Sequence, residues 1–228
     1  MPQAPPNLDA EGRPVTEQET ASVSTSWRRI DAWLAAHSAS TPVLLNPPAA
    51  RDEVAAAEQA LGVRLPGDLV ESLCCHNGVT GWAALLPEGQ SPLAVAAIVD
   101  HWRMCMQVAS DADGLTVPPW EDEPWWHPLW VPWAVGADGT AQVLDLRPGP
   151  GHSRLGWAGH GGSGDFSDAV PSLALYLHEV AEALHHGGGV RGMPPFLTSD
   201  GGLWWDEAAD HPVAPDGGPL RAAPLGSG

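Results

Sequence analysis

Tryptophan is unusually frequent in this sequence, and its indole ring can anchor a protein partner, a cation or a sugar. The chain has 12 tryptophans, and five of them fall between residues 120 and 133. Trp130 and Trp133 begin an apolar alternation, so we expect them to serve the core. The remaining aromatic residues and their acidic neighbours lie among three prolines and predict a surface loop: Trp120, Glu121, Asp122, Glu123, Trp125 and Trp126.

Indole rings beside carboxylates suit an interface with a partner rich in arginine or lysine. The rings would supply desolvated anchors and cation–π contacts. Two alternatives stay open, namely that the loop folds back to cover the sheet or that its rings stack on a sugar. We predict that the six loop residues form a protein-binding site.

A second group with possible chemistry lies near residue 180. His178, Glu182 and His185 would share one face of a helix and could contribute metal ligands, but a metal site would need further ligands. Histidines in a last helical turn also suit the helix dipole. We therefore predict no metal and no cofactor, and a metal-dependent hydrolase remains a minor alternative.

The cysteines give no convincing nucleophile. Cys75 and His76 are adjacent, whereas a catalytic thiol and its base normally meet from distant parts of a chain. Leu73 and Cys74 continue an apolar helix face, so Cys74 and Cys75 are predicted to be small core residues. The stretch 161–165 lacks the second glycine of a nucleophile elbow and predicts a flexible loop. The stretch 111–114 begins like a calcium-binding loop but does not match the rest of that motif, so no calcium site is predicted. No catalytic residue is predicted.

Apolar periodicity predicts the elements that must position these residues. Helices are expected around Trp27–Leu34, over Arg51–Leu61, from Pro66 to Asn77, over Val95–Met106, and over Leu173–Leu184 with Ser172 as cap. Strands are expected at Trp82–Leu86, Val131–Val135, Ala141–Leu146 and Leu155–Ala158. This order predicts an α+β fold in which an antiparallel meander follows N-terminal helices and precedes a closing C-terminal helix.

Composition changes divide the chain into three parts. Residues 1–24 are predicted to be a disordered extension, 25–187 the α+β domain, and 188–228 an acidic tail rich in glycine and proline. The tail contains one apolar patch, Leu203-Trp204-Trp205. This patch could dock onto its own domain or serve as a short motif for a partner.

The charge of the chain restricts its partners. The formal net charge is −18, lysine is absent, and all ten basic residues are arginine. Such a protein will be repelled by nucleic acid and anionic membranes and favours cationic proteins. The odd number of cysteines, the lack of a signal sequence and the lack of a membrane-length apolar run predict a cytoplasmic protein.

A series of short patterns occurs in a fixed order along the chain. It includes Leu61-Gly62-Val63-Arg64-Leu65-Pro66, His76-Asn77-Gly78, Trp130-Val131-Pro132-Trp133, Leu144-Asp145-Leu146 and Pro171-Ser172-Leu173. Together they resemble the SUKH superfamily, the Smi/Knr group, over about residues 44–186. The chain departs from the usual pattern of the superfamily at Cys74-Cys75, in the tryptophan-rich acidic loop and in the tail.

The resemblance implies a SUKH-like α+β domain that acts by binding proteins and carries no catalytic residues. Many bacterial members resemble immunity proteins, which neutralise polymorphic toxins by direct contact. We therefore predict a non-enzymatic immunity protein whose partner is a cationic toxin domain. The alternative is an intracellular regulatory scaffold related to cell-wall assembly regulators, and a carbohydrate-binding protein is less favoured.

Overall fold

The computed structural model describes residues 22–38, 40–207 and 212–226, with only the backbone of Pro42 and Val43. The predicted disordered extension, 1–24, lies almost wholly outside these residues. No helix in the described ranges has both the length and the apolar character needed to cross a membrane.

Five α-helices occur in the described part of the chain. They are α1 (Val23–His37), α2 (Arg51–Leu61), α3 (Gly67–Cys75), α4 (Val95–Asp111) and α5 (Leu173–His186). All five were predicted from apolar spacing. The Oγ of Ser172 accepts a hydrogen bond from the backbone N–H of Leu175 and thus caps α5 as expected. Gly62, with φ of +70°, ends α2 in the left-handed conformation that favours glycine.

The main sheet is an antiparallel meander of five strands in sequence order. The strands are β1 (Ser91–Pro92), β2 (Trp130–Val135), β3 (Ala141–Asp145), β4 (Leu155–Ala158) and β5 (Gly164–Val170). The predicted α+β class with a meander is therefore confirmed, and β2 to β4 lie where the alternation placed them.

Two predictions about local structure were wrong. Residues 161–165 were expected to form only a flexible loop, but β5 begins at Gly164, where an added Cβ would lie 2.3 Å from the Trp130 ring. Trp82–Leu86 was expected to be a strand but is irregular. The backbone of Ala83 bonds to a side chain instead of a neighbouring strand. The Oγ of Ser91 accepts a hydrogen bond from the Ala83 N–H and donates one to the Ala83 carbonyl.

Both faces of the main sheet are buried. On one face, Val131, Trp133 and Leu144 join the large core beneath α1 and α5. On the other, Trp130 and Val143 join a smaller core formed with α4 and the loop that follows it. Because successive residues of a strand point to opposite faces, β2 supplies aromatic rings to both cores, with a bulge between Pro132 and Ala134.

The C-terminal segment forms a second antiparallel sheet, ordered β7-β6-β8, from β6 (Pro195–Leu197), β7 (Leu203–Trp205) and β8 (Arg221–Ala222). Leu203 and Trp205 are buried in the large core, and the indole N–H of Trp205 donates to the Leu85 carbonyl at 2.9 Å. Of the two alternatives for the apolar patch, the structure therefore shows docking onto its own domain.

Candidate protein-binding surface

Exposed apolar side chains concentrate on the outer face of α4 and on the loop that follows it. In the described part of the chain, five of the eight large apolar residues that are exposed fall here: Met104, Val108, Leu115, Val117 and Trp120. We call these five residues the Trp120 surface. Trp120 is the most exposed of them, at 80%. A concentration of exposed apolar side chains in one part of a protein is typical of interaction sites.

Two hollows join parts of this surface. Val108, Trp120 and Trp125 line a hollow of about 430 Å³. Met104 and Val108 line another of about 140 Å³, and Trp125 and His160 contribute to both. The exposed side chains of α4 and the ring of Trp120 therefore line two adjoining hollows, into which side chains of a partner could fit.

Carboxylates lie in the same stretch of chain as the Trp120 surface, and two of them, Asp113 and Glu121, line the larger hollow. The stretch from 104 to 122 contains four acidic residues and no basic one. Asp111, Asp113, Glu121 and Asp122 are all exposed. The Trp120 surface thus lies close to four exposed carboxylates, and this part of the chain exposes Trp120, Glu121 and Asp122 of the six predicted site residues.

Trp126, in contrast, is buried with only 1% of its surface exposed, so the prediction that it sits on an exposed loop was wrong. Its ring packs edge-on against Trp130 with centroids 6.0 Å apart and also contacts His101 of α4. Its backbone N–H donates to the Gly114 carbonyl at 3.1 Å. Here the loop folds back over the sheet, which was one of the alternatives.

Glu123 also points inward. It accepts hydrogen bonds from Arg147 at 2.6 and 2.9 Å and lies 3.6 Å from Arg154. Both arginines also pair with the buried carboxylate of Asp145. Burial alone would raise the pKa of Asp145, but hydrogen bonds from Arg147 and Arg154 outweigh it and hold this pKa below its usual value. Glu123 therefore joins the loop to β3.

Further bonds fix the C-terminal end of the loop. The Pro124 carbonyl accepts the N–H of Gly164 in β5 at 2.9 Å. The Trp125 indole donates to the His160 carbonyl at 3.2 Å, and the Trp102 indole donates to the Pro128 carbonyl at 3.1 Å. The half-buried Trp125 is thus an anchor on one side and part of the hollows on the other. These contacts hold the Trp120 surface in place before any partner binds.

The helix face suggested as a possible metal site is occupied by an arginine. Glu182 forms an ion pair with Arg29 of α1, and His185 Nε2 lies 3.0 Å from the Arg29 carbonyl. The hydrogen bond from Arg29 lowers the pKa of Glu182. Within the described ranges, no three His, Cys, Asp or Glu side chains are placed together so as to hold a metal ion.

The Cys75-His76 pair lacks the geometry of a nucleophile and its base. His76 Nε2 lies 3.0 Å from Asp31, and its Nδ1 lies 3.2 Å from the Asn46 carbonyl. Burial, and then the charge of Glu71, raise the pKa of the Cys75 thiol and disfavour the thiolate. Cys74 is exposed, so its predicted place in the core was wrong. It follows Leu73 by about 100° around α3 and points away from the core.

Most of the apolar residues of the Trp120 surface were missed from the sequence. The spacing of Val95, Ile98, Trp102 and Met106 predicted the buried face of α4, and Met104 and Val108 fall outside it. Their signal was apolar type at positions that the helix period assigns to solvent.

Comparison with known protein families identifies the family of this chain. The model of the SMI1 / KNR4 family (SUKH-1) matches residues 48–171, slightly more than half of the chain. That span contains α2 to α4, the whole main sheet and the complete Trp120 surface. No curated protein is similar enough in sequence to count as a match. The family match confirms the resemblance drawn from the short patterns, and this chain therefore belongs to the SMI1 / KNR4 family (SUKH-1).

Proposed function

We propose that this protein is a non-enzymatic binding domain that neutralises a polymorphic toxin by direct contact through the Trp120 surface. One observation carries the proposal, namely an exposed apolar patch close to four exposed carboxylates, on a loop that buried anchors hold in place. Family membership supports it, because the SUKH resemblance implies function through protein contacts.

The energetics of the surface favour tight binding. A tryptophan ring offers roughly 150–250 Å² for burial, and most of that area is accessible on Trp120. Loss of a central aromatic anchor typically costs an interface about 2 kcal/mol or more. The bonds of Glu123, Pro124 and Trp125 keep the loop ordered in the free protein, so a partner does not have to supply that ordering energy.

The charge distribution indicates the class of partner. The four carboxylates attract a basic surface and accelerate its approach, and added salt weakens that attraction. A toxin domain that acts on nucleic acid would carry such a basic surface. The proposed partner is therefore a cationic toxin domain, which the protein would occlude.

The test is affinity capture from the lysate and secreted fraction of the host, with wild type and two variants. Trp120→Ala removes the central anchor. Leu225→Ala is the matched control, because it truncates a side chain that is 59% exposed outside this surface. We expect wild type and Leu225→Ala to retain one dominant polypeptide with a basic domain, and Trp120→Ala to lose it.

Co-expression tests neutralisation itself. If the captured polypeptide is toxic, wild type and Leu225→Ala should restore growth and Trp120→Ala should not. Capture of varied housekeeping proteins that Trp120→Ala retains equally would contradict the proposal and favour the regulatory scaffold.

A further inference from the structure

A large groove lies between the main domain and the C-terminal sheet. Its volume is about 1280 Å³, which exceeds the roughly 300–1,000 Å³ typical of small-molecule pockets. One wall comes from the stretch 82–89 and the turn between β2 and β3, and the other from lining residues within 193–207 and 213–216. The family match ends at residue 171, so the second wall lies outside the matched residues.

Two tryptophans stand together in the groove. Trp82 is 47% exposed, and Trp204 of β7 is half-buried beside it. Their ring centroids lie 6.2 Å apart, and the rings are inclined by 57°. Trp205, the next residue of β7, points into the core because strand side chains alternate. The docking of the C-terminal sheet therefore brings Trp204 against Trp82 and builds the pair.

Carboxylates line the groove around these rings. The acidic lining residues are Glu88, Asp138, Asp200, Asp206, Glu207 and Asp216. No arginine, lysine or histidine lines it among the residues that the structure describes. Glu88 is paired with Arg191, which itself lies outside the lining. The groove thus combines exposed indole rings with a strong local excess of negative charge.

Several of these carboxylates are held in fixed positions. Asp138 accepts from the N–H and hydroxyl of Thr140 at 2.9 and 2.8 Å, and Asp216 accepts from the N–H of Gly218 at 2.9 Å. The backbone bond from Thr140 lowers the pKa of Asp138, so its carboxylate stays charged to a lower pH. The negative charge is therefore positioned in advance.

We propose that this groove binds an extended, arginine-bearing segment of a protein partner. A guanidinium group can stack flat on an indole face while two of its N–H groups donate to one carboxylate, and an ammonium group has neither that planar face nor that paired donor geometry. The charge of the lining selects a cationic occupant, and the volume suits a peptide segment better than a small molecule.

The groove continues the Trp120 surface across one turn. Asp138 lines the groove, while the next residue, Gly139, lines the smaller hollow beside Trp125. One partner could therefore contact both surfaces. The inference stands on the groove alone and does not depend on the partner being a toxin.

The experiment uses full-length protein labelled with 5-fluorotryptophan and ¹⁹F NMR, with the Trp82, Trp204 and Trp120 signals assigned by Trp→Phe substitution. The probe is a capped octapeptide of alternating glycine and arginine, and the matched peptide carries lysine instead. We expect the arginine peptide to shift the Trp82 and Trp204 signals and to bind about tenfold more tightly than the lysine peptide.

Variants locate the site. Trp82→Ala should raise the Kd of the arginine peptide about tenfold, and Glu207→Lys should also weaken binding. Trp120→Ala should leave this Kd unchanged, which separates the groove from the proposed toxin site. Absence of binding, equal binding of both peptides, or shifts confined to Trp120 would each overturn the inference.

Discussion

Two tryptophans six residues apart in one loop have opposite roles. Trp120 is 80% exposed and Trp126 is 1% exposed. From composition and neighbouring acids, both tryptophans were predicted to lie on a surface loop, since the sequence does not reveal which ring α4 and Trp130 will cover. The sequence thus located the loop, but side-chain packing decided which of its residues are accessible.

This difference predicts opposite effects on stability. Trp126→Ala should lower the free energy of unfolding by about 3–5 kcal/mol, because it leaves a cavity between α4 and the sheet. Trp120→Ala should change it by less than about 0.5 kcal/mol. Urea denaturation measures both, and equal losses in the two variants would show that the assigned burial is wrong.

His76 should give the protein a small stability that depends on pH. Burial lowers the pKa of His76, but the hydrogen bond and charge of Asp31 outweigh it, so the folded pKa lies above its usual value. Stability from protonated His76 is therefore fully present below about pH 6.5 and is lost as pH rises through the folded pKa.

We expect the stability difference between wild type and His76→Gln to be larger at pH 5.5 than at pH 8.5. The effect should be below about 1 kcal/mol, because Asp31 is partly exposed. Asp31→Asn serves as the control, since His76→Gln in that background should show little pH dependence. A difference that grows with pH would contradict the assignment.

At the scale of elements, apolar spacing located all five helices, and α2 was predicted with its observed bounds, Arg51–Leu61. Strand β5 escaped prediction because Phe166 and Val170 are its only buried side chains, and the exposed Asp168 between them interrupts the apolar alternation. The segment 82–86 looked like a strand because it is apolar, but its backbone bonds to a side chain of Ser91. The spacing of apolar residues thus predicts strands less well where a single side-chain contact determines the backbone conformation.

The loop that carries Trp120 should depend on one acidic anchor. Glu123→Gln weakens the bonds to Arg147 and Arg154, so we expect amide hydrogens of Trp126 and Gly164 to exchange roughly tenfold faster. Glu121→Gln is the matched control, because Glu121 is exposed. If the two variants exchange alike, Glu123 does not hold the loop.

At the scale of the whole molecule, the C-terminal segment contributes to the core. Leu203 and Trp205 are buried in the large core. The Pro224 carbonyl accepts a hydrogen bond from the indole N–H of Trp33 at 2.9 Å. Glycine and proline content predicted a tail here, because composition does not report a few well-spaced apolar residues. The predicted domain boundary at residue 187 remains a prediction.

A chain that ends at Gly187 tests that boundary. We expect its Tm to fall by roughly 10 °C or more, because buried contacts of Leu203 and Trp205 worth several kcal/mol are lost. Trp205→Ala in the full chain should cause a smaller fall. An unchanged Tm for the shortened chain would support residues 25–187 as the complete folding unit.

The outward position of Cys74 has a practical consequence for handling the protein. Cys74 is the exposed thiol of α3, while burial raises the pKa of Cys105 to about 11 and also raises that of Cys75. Cys74 lines neither the hollows of the Trp120 surface nor the groove. Maleimide coupling at mild pH would therefore attach a surface or a dye at one defined point, with every molecule presenting both candidate interfaces in the same orientation.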